Sequence, residues 1–132
     1  MTAFARTDGK RVTKRVSNLS TSAQDLITAA QQKAVTLESI SFCNTTGTTE
    51  RLISFYVKDG GTNYYILKAN PLAKWETKVF DTHSVVLNPG QTFTVVANAA
   101  GVDVVAVFIE SSSQQEQAAS TGLDAFRTPQ KG

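Results

Sequence analysis

The central block of this chain, residues 35–109, consists of short runs rich in β-branched and aromatic residues, separated by turn residues. These runs recur at roughly the 8–12-residue spacing of strands in antiparallel sandwiches and barrels. The last run is apolar at both alternating positions: Val102, Val104, Ala106 and Phe108 in one set, Val105, Val107 and Ile109 in the other. Such a run indicates a central strand covered on both faces. The pattern predicts an all-β fold: a single antiparallel β-sandwich, jelly-roll-like, with about eight strands.

The segments between the runs have the composition of tight turns. Residues 58–63, Lys-Asp-Gly-Gly-Thr-Asn, indicate a β-hairpin loop. Residues 88–91, Asn-Pro-Gly-Gln, fit a type II turn, because proline fixes the first central φ and glycine takes the positive second one. A change of alternation near Glu38 predicts a β-bulge. For residues 22–33 a short helix is one interpretation, but a strand at 25–28 followed by a turn is favoured, because it would add an outer strand to the same sheet.

Polar segments flank this body and predict extended N- and C-terminal arms. Residues 1–22 are basic and poor in large apolar side chains, and residues 111–132 begin with Ser-Ser-Ser-Gln-Gln-Glu-Gln. Low-complexity polar composition of this kind is typical of flexible chain. The sequence therefore divides into a basic N-terminal arm at 1–22, a β-sandwich domain at 23–110 and a Ser/Gln-rich C-terminal arm at 111–132.

Composition limits the partners that this chain can be expected to bind. Charged residues make up 18% of the sequence, against about 25% in average soluble domains. A weakly charged surface favours packing against neighbours, because contact removes less charge from water. The net charge of +2 does not require a nucleic-acid partner. No apolar run reaches the length of a signal peptide or a membrane span, so no membrane association is expected.

The residues capable of catalysis or metal binding are few and poorly spaced. Asp81, His83 and Ser84 lie almost side by side, whereas the members of a catalytic triad converge from separate elements. One histidine and one cysteine, Cys43, cannot form a zinc site within one chain. The single cysteine also excludes an internal disulfide. We therefore expect no catalytic residue, no metal, no cofactor and no enzymatic activity.

Two sets of residues remain as candidates for binding. Tyr64, Tyr65 and Trp75 could form a ligand platform for sugars or bases, although strand aromatics more often pack across strands. The basic arm could contact an acidic protein surface, remain solvated or bind nucleic acid. Protein contact is favoured, and nucleic acid is disfavoured because no aromatics interleave the basic residues. The predicted partner-binding residues combine basic side chains with the few apolar ones of the second arm: Arg6, Lys10, Arg11, Lys14, Arg15, Leu123, Phe126 and Arg127.

Several stretches of the body resemble a known class of protein. They are residues 37–47 (LESISFCNTTG), 57–65 (VKDGGTNYY), 70–72 (NPL), 86–91 (VLNPGQ) and 102–105 (VDVV). Together they resemble small β-sandwich virion structural proteins of tailed bacteriophages, which serve as head decoration or cement subunits or in the neck and tail. The resemblance covers residues 35–110 and does not extend to the arms.

This resemblance implies a non-enzymatic virion protein that is made in the bacterial host cytoplasm. The implied role is a capsid decoration or cement subunit that bridges its neighbours through the sandwich and the arms. The implied partners are other virion proteins (major capsid, portal, neck or tail subunits) and further copies of this chain. Two alternatives stay open: a neck or tail/fibre component, and a carbohydrate-binding or adhesin module.

Overall fold

A computed structural model of the chain describes residues 9–81 and 85–112. Within those residues the secondary structure is entirely β. The strands are β1 (Lys10–Leu19), β2 (Gln24–Thr28), β3 (Lys33–Asn44), β4 (Arg51–Asp59), β5 (Thr62–Leu72), β6 (Thr77–Asp81), β7 (Val86–Leu87), β8 (Thr92–Ala97) and β9 (Val102–Ser112).

The strands form two antiparallel sheets that pack face to face. The five-stranded sheet has the order β1-β9-β3-β6, with the short β7 also paired to β3. The four-stranded sheet has the order β2-β8-β4-β5. The chain crosses between the sheets at most connections, which is the strand arrangement of a jelly roll. The structure confirms the predicted all-β, antiparallel sandwich.

The core lies between the sheets and is built around phenylalanines from both. Phe42 of β3 stacks on Phe55 of β4 with ring centroids 5.7 Å apart, and Phe93 of β8 meets Phe108 of β9 at 5.5 Å. All four side chains are buried. Since burying one such side chain stabilises a fold by about 1.5–3 kcal/mol, this cluster holds the two layers together.

The local predictions that depend on turn chemistry are confirmed. The register of β3 against β9 shifts between Leu37 and Ser39, so the bulge lies at Glu38. Residues 58–63 form the β4–β5 hairpin, and in the 88–91 turn the Gln91 amide donates to the Asn88 carbonyl oxygen at 3.0 Å. Residues 24–28 form strand β2 and not a helix.

Both predicted boundaries of the sandwich differ from the structure. Residues 10–19, assigned to the arm, form β1 and pair with β9 from Lys10 opposite Glu110 to Leu19 opposite Val102. At the other end, β9 continues to Ser112, which pairs with Lys33 of β3. The polar residues of β1 occupy both alternating positions, which an edge strand can keep solvated at its open side, and they gave β1 the composition of an arm.

The prediction that β9 is covered on both faces is half wrong. The strand is central, between β1 and β3, and its inward set from Val102 to Phe108 is buried. On the other face Val105 is 41% exposed, because no third layer of the described chain covers that side. An apolar set of side chains is therefore presented to solvent.

Candidate interaction surfaces

The outer side of the five-stranded sheet carries an exposed apolar surface, which we call the valine face. Val79 is 60% exposed, Val86 47% and Val105 41%, with half-buried Val107 and Ile109 between them. Isolated exposed valines are common on soluble proteins, but grouped ones indicate an interaction site. This grouping is the most distinctive surface feature of the described chain.

Strand register brings these side chains together from distant parts of the sequence. Val79 of β6 lies opposite Ser41 of β3, which lies opposite Val105 of β9. The next row holds Asp81 of β6, Ser39 and Val107. In the row after that, Val86 of β7 lies opposite Thr36, which lies opposite Ile109. Because the hydroxyl side chains of β3 are small, they leave the valines of the neighbouring strands exposed. The result is a shallow, weakly polar surface about four strands wide.

Two of the predicted partner-binding arginines border the valine face along β1. Arg15 lies opposite Val105, and Arg11 lies opposite Ile109. Arg11 also donates from Nε and Nη2 to both carboxylate oxygens of Glu38, each at 2.8 Å. The Glu38 hydrogen bond, aided by its charge, raises the pKa of Arg11. The β3 bulge therefore supplies the acid that holds one arginine at this border.

The other two basic residues of β1, Lys10 and Lys14, lie on the opposite phase of the strand. They line an open groove of about 450 Å³ between the two sheets, where β1 runs beside β2. The acids Asp25 and Glu110 line the same groove, with Val12, Leu26, Ile27 and Thr28 between. The four charged groups balance, so the groove has no net charge that would select an ionic ligand.

Asp25, in this groove, has hydrogen-bond partners of its own. Its Oδ2 accepts a hydrogen bond from Lys58 Nζ at 3.2 Å, and its Oδ1 accepts one from Thr94 Oγ1 at 2.9 Å. The ion pair between Lys58 Nζ and Asp25 Oδ1 spans 2.9 Å. The Lys58 hydrogen bond is the main cause of a lowered pKa for Asp25, and partial burial opposes it. An acid held ionised in this way stabilises the sheet and is unsuited to general acid catalysis near neutral pH.

The three aromatic residues of the predicted ligand platform do not lie together. Tyr65 packs on Tyr56 at 4.8 Å on the outer face of the four-stranded sheet, and Tyr64, the next residue, points to the other side of β5. Trp75 follows the far end of β5 and covers Gly47. These positions leave three separate aromatic side chains in place of one stacking surface.

The remaining predicted residues lie outside the described part of the chain. They are Arg6, Leu123, Phe126 and Arg127. His83 and Ser84, for which we expect no catalytic role, also lie outside it. Within residues 9–81 and 85–112, no group of three His, Cys, Asp or Glu side chains is placed to hold a metal ion. Over the same residues there is no helix of the length and apolarity needed to cross a membrane.

The sequence pattern predicted that Val105, Val107 and Ile109 lie on a covered face, and it did not single out Val79 or Val86. The signal was present: the alternating sets of β9 are both apolar, and Val79 occupies an outer position of β6. The sequence pattern does not show how many sheets are stacked in the fold. Whether the second face of a strand is covered depends on elements that are distant in sequence.

Comparisons with known proteins find similarity to solved structures but no sequence family. No protein-family model matches the chain, and no curated protein matches it. A solved structure described as "Bacillus endospore appendages form a novel family of disulfide-linked pili" is similar with a TM-score of 0.45 and 17% identity. The match covers 86% of this chain and 98% of that one.

Proposed function

We propose that this chain is a non-enzymatic structural subunit of a bacteriophage virion, most specifically a capsid decoration or cement subunit. In this role the sandwich is a rigid block that bridges neighbouring subunits on the shell. The observation that carries the structural part of the proposal is the valine face. The assignment to a phage particle comes from the resemblance of residues 35–110 to small β-sandwich virion proteins.

The chemistry of the valine face suits a permanent contact better than a transient ligand. Its exposed side chains, Val79, Val86 and Val105, are rigid and uncharged, so covering them costs little side-chain entropy or desolvation. The centre of a stable interface is apolar with few charges, and its rim is polar. Arg11 and Arg15 along β1 provide such a rim.

Many copies on one particle would make a modest contact effective. A subunit that binds the assembled shell but not free shell protein stabilises the assembly by mass action. Contacts made at two places on the same subunit add through effective concentration. We propose the valine face as one of those places and the segments carrying Arg6, Leu123, Phe126 and Arg127 as the other.

The proposal is tested by locating the chain on particles. Antibodies against the chain should label the heads of purified virions in electron micrographs, and mass spectrometry should detect it in those virions. Labelling of necks or tails alone would replace the decoration role with the neck or tail alternative. Absence from purified virions would contradict the phage assignment.

The contribution of the second arm is tested by truncation. The cut belongs after Ser112, because Ser111 and Ser112 still pair with β3. The truncated chain should fold with unchanged stability and incorporate less into particles. Incorporation equal to that of the full chain would remove residues 113–132 from the proposal.

A further inference from the structure

The outer edge of β5 differs from the outer edges of β1, β6 and β2. Edge strands present unpaired N–H and C=O groups, and proteins protect them with inward charges, bulges or short length. On β1, Lys14 lies opposite buried Ala106 and so takes an inward position. On β6, Lys78 does the same opposite buried Phe42. The strand β2 has five residues and an irregular register after Asp25.

The first four residues of β5 have none of these protections. Residues 62–65, Thr-Asn-Tyr-Tyr, contain no charge and no proline, and they pair with β4 in regular register. Tyr64 is 58% exposed, and Ile66 is exposed too. The strand is interrupted from Ile66 onward, because the register skips Ile66 between Tyr65 and Leu67 and shifts again between Leu67 and Asn70. Ala69 also has a positive φ, and Pro71 lies beyond it. The unprotected edge is thus a short, regular segment next to the hairpin.

The hairpin determines which backbone groups of this segment are free. Gly60 and Gly61 have φ values of 59° and 89°, those of a two-residue type I′ turn. Asp59 and Thr62 therefore form a hydrogen-bonded pair, and the pairs alternate from there along the ladder. Val57 and Tyr64 bond to each other, whereas the N–H and C=O of Asn63 and Tyr65 point away from β4.

We propose that two copies of this chain pair antiparallel through β5, about a two-fold axis at Tyr64. Asn63 of each copy then lies opposite Tyr65 of the other, and all four outward backbone groups on each strand gain partners. Tyr64 lies opposite itself in a non-hydrogen-bonded pair, where side chains approach most closely. The two four-stranded sheets become one continuous eight-stranded sheet.

A second copy fits this edge because the edge is complementary to itself. A two-fold contact requires each residue of the patch to accept its symmetry mate. Residues 62–65 bring no like charges together in this register, and exposed Tyr64 becomes covered. That an assembly uses this pairing rests on the proposed structural function. Whether two copies pair at all can be tested on the isolated chain.

Disulfide trapping tests the position of the axis. In a Cys43→Ser background, Tyr64→Cys places two thiols opposite each other, with Cα atoms about 4.5 Å apart, within the span of a disulfide. Mild oxidation should shift the chain from 14.2 kDa to twice that mass. The matched control is Trp75→Cys, which is more exposed at 70% but lies beyond the far end of β5. Equal dimer yields from the two variants, or trapping through Tyr65→Cys instead, would overturn the proposed axis.

Charge substitution at the axis supplies a second test that needs no oxidation. Tyr64→Lys and Tyr64→Glu each oppose a like charge in the pair, so each should sediment as a monomer. Mixed in equal amounts they should form a dimer, since each lysine then faces a glutamate. Two monomeric variants that stay monomeric on mixing would contradict the pairing, as would a dimer of either variant alone. These results do not involve the valine face, so their failure is distinguishable from failure to bind a particle.

Discussion

At the scale of single residues, the side chain of Asn44 closes one end of the sandwich. It is fully buried, and its Nδ2 donates to the Thr49 and Leu72 carbonyl oxygens, both at 3.0 Å. Its Oδ1 accepts from the backbone amide and the hydroxyl of Thr46, both at 2.9 Å. An amide is well suited to this place, because it offers two donors and an acceptor with two lone pairs.

Replacing Asn44 should therefore destabilise the fold strongly. Asn44→Ala removes the side-chain donor to the buried Leu72 carbonyl and the acceptor of the Thr46 amide, which should lower the free energy of unfolding by about 2–3 kcal/mol. Chemical denaturation measures this change. Asn88→Ala, at an exposed turn position, is the control and should stay within about 0.5 kcal/mol of the wild type. Similar losses for both variants would show that the network around Asn44 contributes little.

Asp25 gives the fold a dependence on acid pH. Its pKa in the folded chain lies below the ordinary value of 3.8, mainly because of the Lys58 hydrogen bond. The unfolded chain thus binds this proton more readily, so the stabilisation is complete above about pH 4 and is lost as pH falls through the lower folded pKa. Both partners are partly exposed, so the contribution is at most about 1 kcal/mol.

Comparison of the wild type with Asp25→Asn should reveal that dependence. Near pH 7 the variant should be less stable, and the difference should shrink as pH falls below 4. Denaturation curves recorded from pH 7 to pH 2 measure it, and Lys58→Met serves as the partner control. A difference that stays constant over this range would mean that the ionised carboxylate is not the stabilising form.

At the scale of elements, the β4–β5 hairpin depends on the backbone conformation of its turn. Gly60 and Gly61 both have positive φ, and a Cβ added at either would meet nothing within 4 Å. Any cost of substitution at these positions is therefore conformational, without a steric contribution from neighbours. Asparagine tolerates the left-handed region, whereas a β-branched residue does not.

Because only backbone conformation matters at Gly60, two substitutions there should differ in their effect on stability. Gly60→Asn should change the free energy of unfolding by less than about 0.5 kcal/mol, because Asn-Gly is a preferred type I′ pair. Gly60→Val should lower it by about 1–2 kcal/mol through left-handed strain. Thermal or chemical unfolding measures both. Equal stability of the two variants would contradict the type I′ assignment and with it the outward groups inferred for β5.

At the scale of the whole molecule, the two outer faces of the sandwich differ in character. The valine face is mostly apolar, with the small hydroxyl side chains of β3 and one carboxylate, Asp81 of β6, among the valines. The opposite face carries the Asp25–Lys58 ion pair and the Tyr56–Tyr65 contact, so much of it is already occupied by its own side chains. We therefore expect the valine face to contact neighbouring subunits and the opposite face to remain in solvent.

A glutamate introduced on either outer face of the sandwich should distinguish an effect on particle binding from an effect on folding. Val105→Glu should reduce incorporation into particles at least tenfold, because it buries a carboxylate at the centre of the contact. Its free energy of unfolding should change little, since Val105 is exposed in the isolated chain. Val96→Glu, on the central strand β8 of the other sheet, is the matched control and should incorporate normally. Equal incorporation of both variants would exclude the valine face as the binding surface.

Much of this fold follows from local sequence. Side-chain alternation and φ preference depend on only a few neighbouring residues. They therefore predict the alternation along β4, β8 and β9, the bulge at Glu38 and the two glycine-containing turns. The strand at 24–28 follows similarly from its place beside the turn at residues 31–32. These features fixed the fold class and the approximate number of strands.

The candidate surfaces required the tertiary structure. Arg11 and Arg15 lie at the border of a sheet because β1 pairs with β9, which the sequence did not predict. Val79 and Val105 lie on one surface because β6 and β9 are both neighbours of β3. The free edge of β5 likewise depends on which strands lack a second neighbour. Alternation tells which residues share a face, but whether water or another layer meets that face is decided by contacts between residues far apart in the chain.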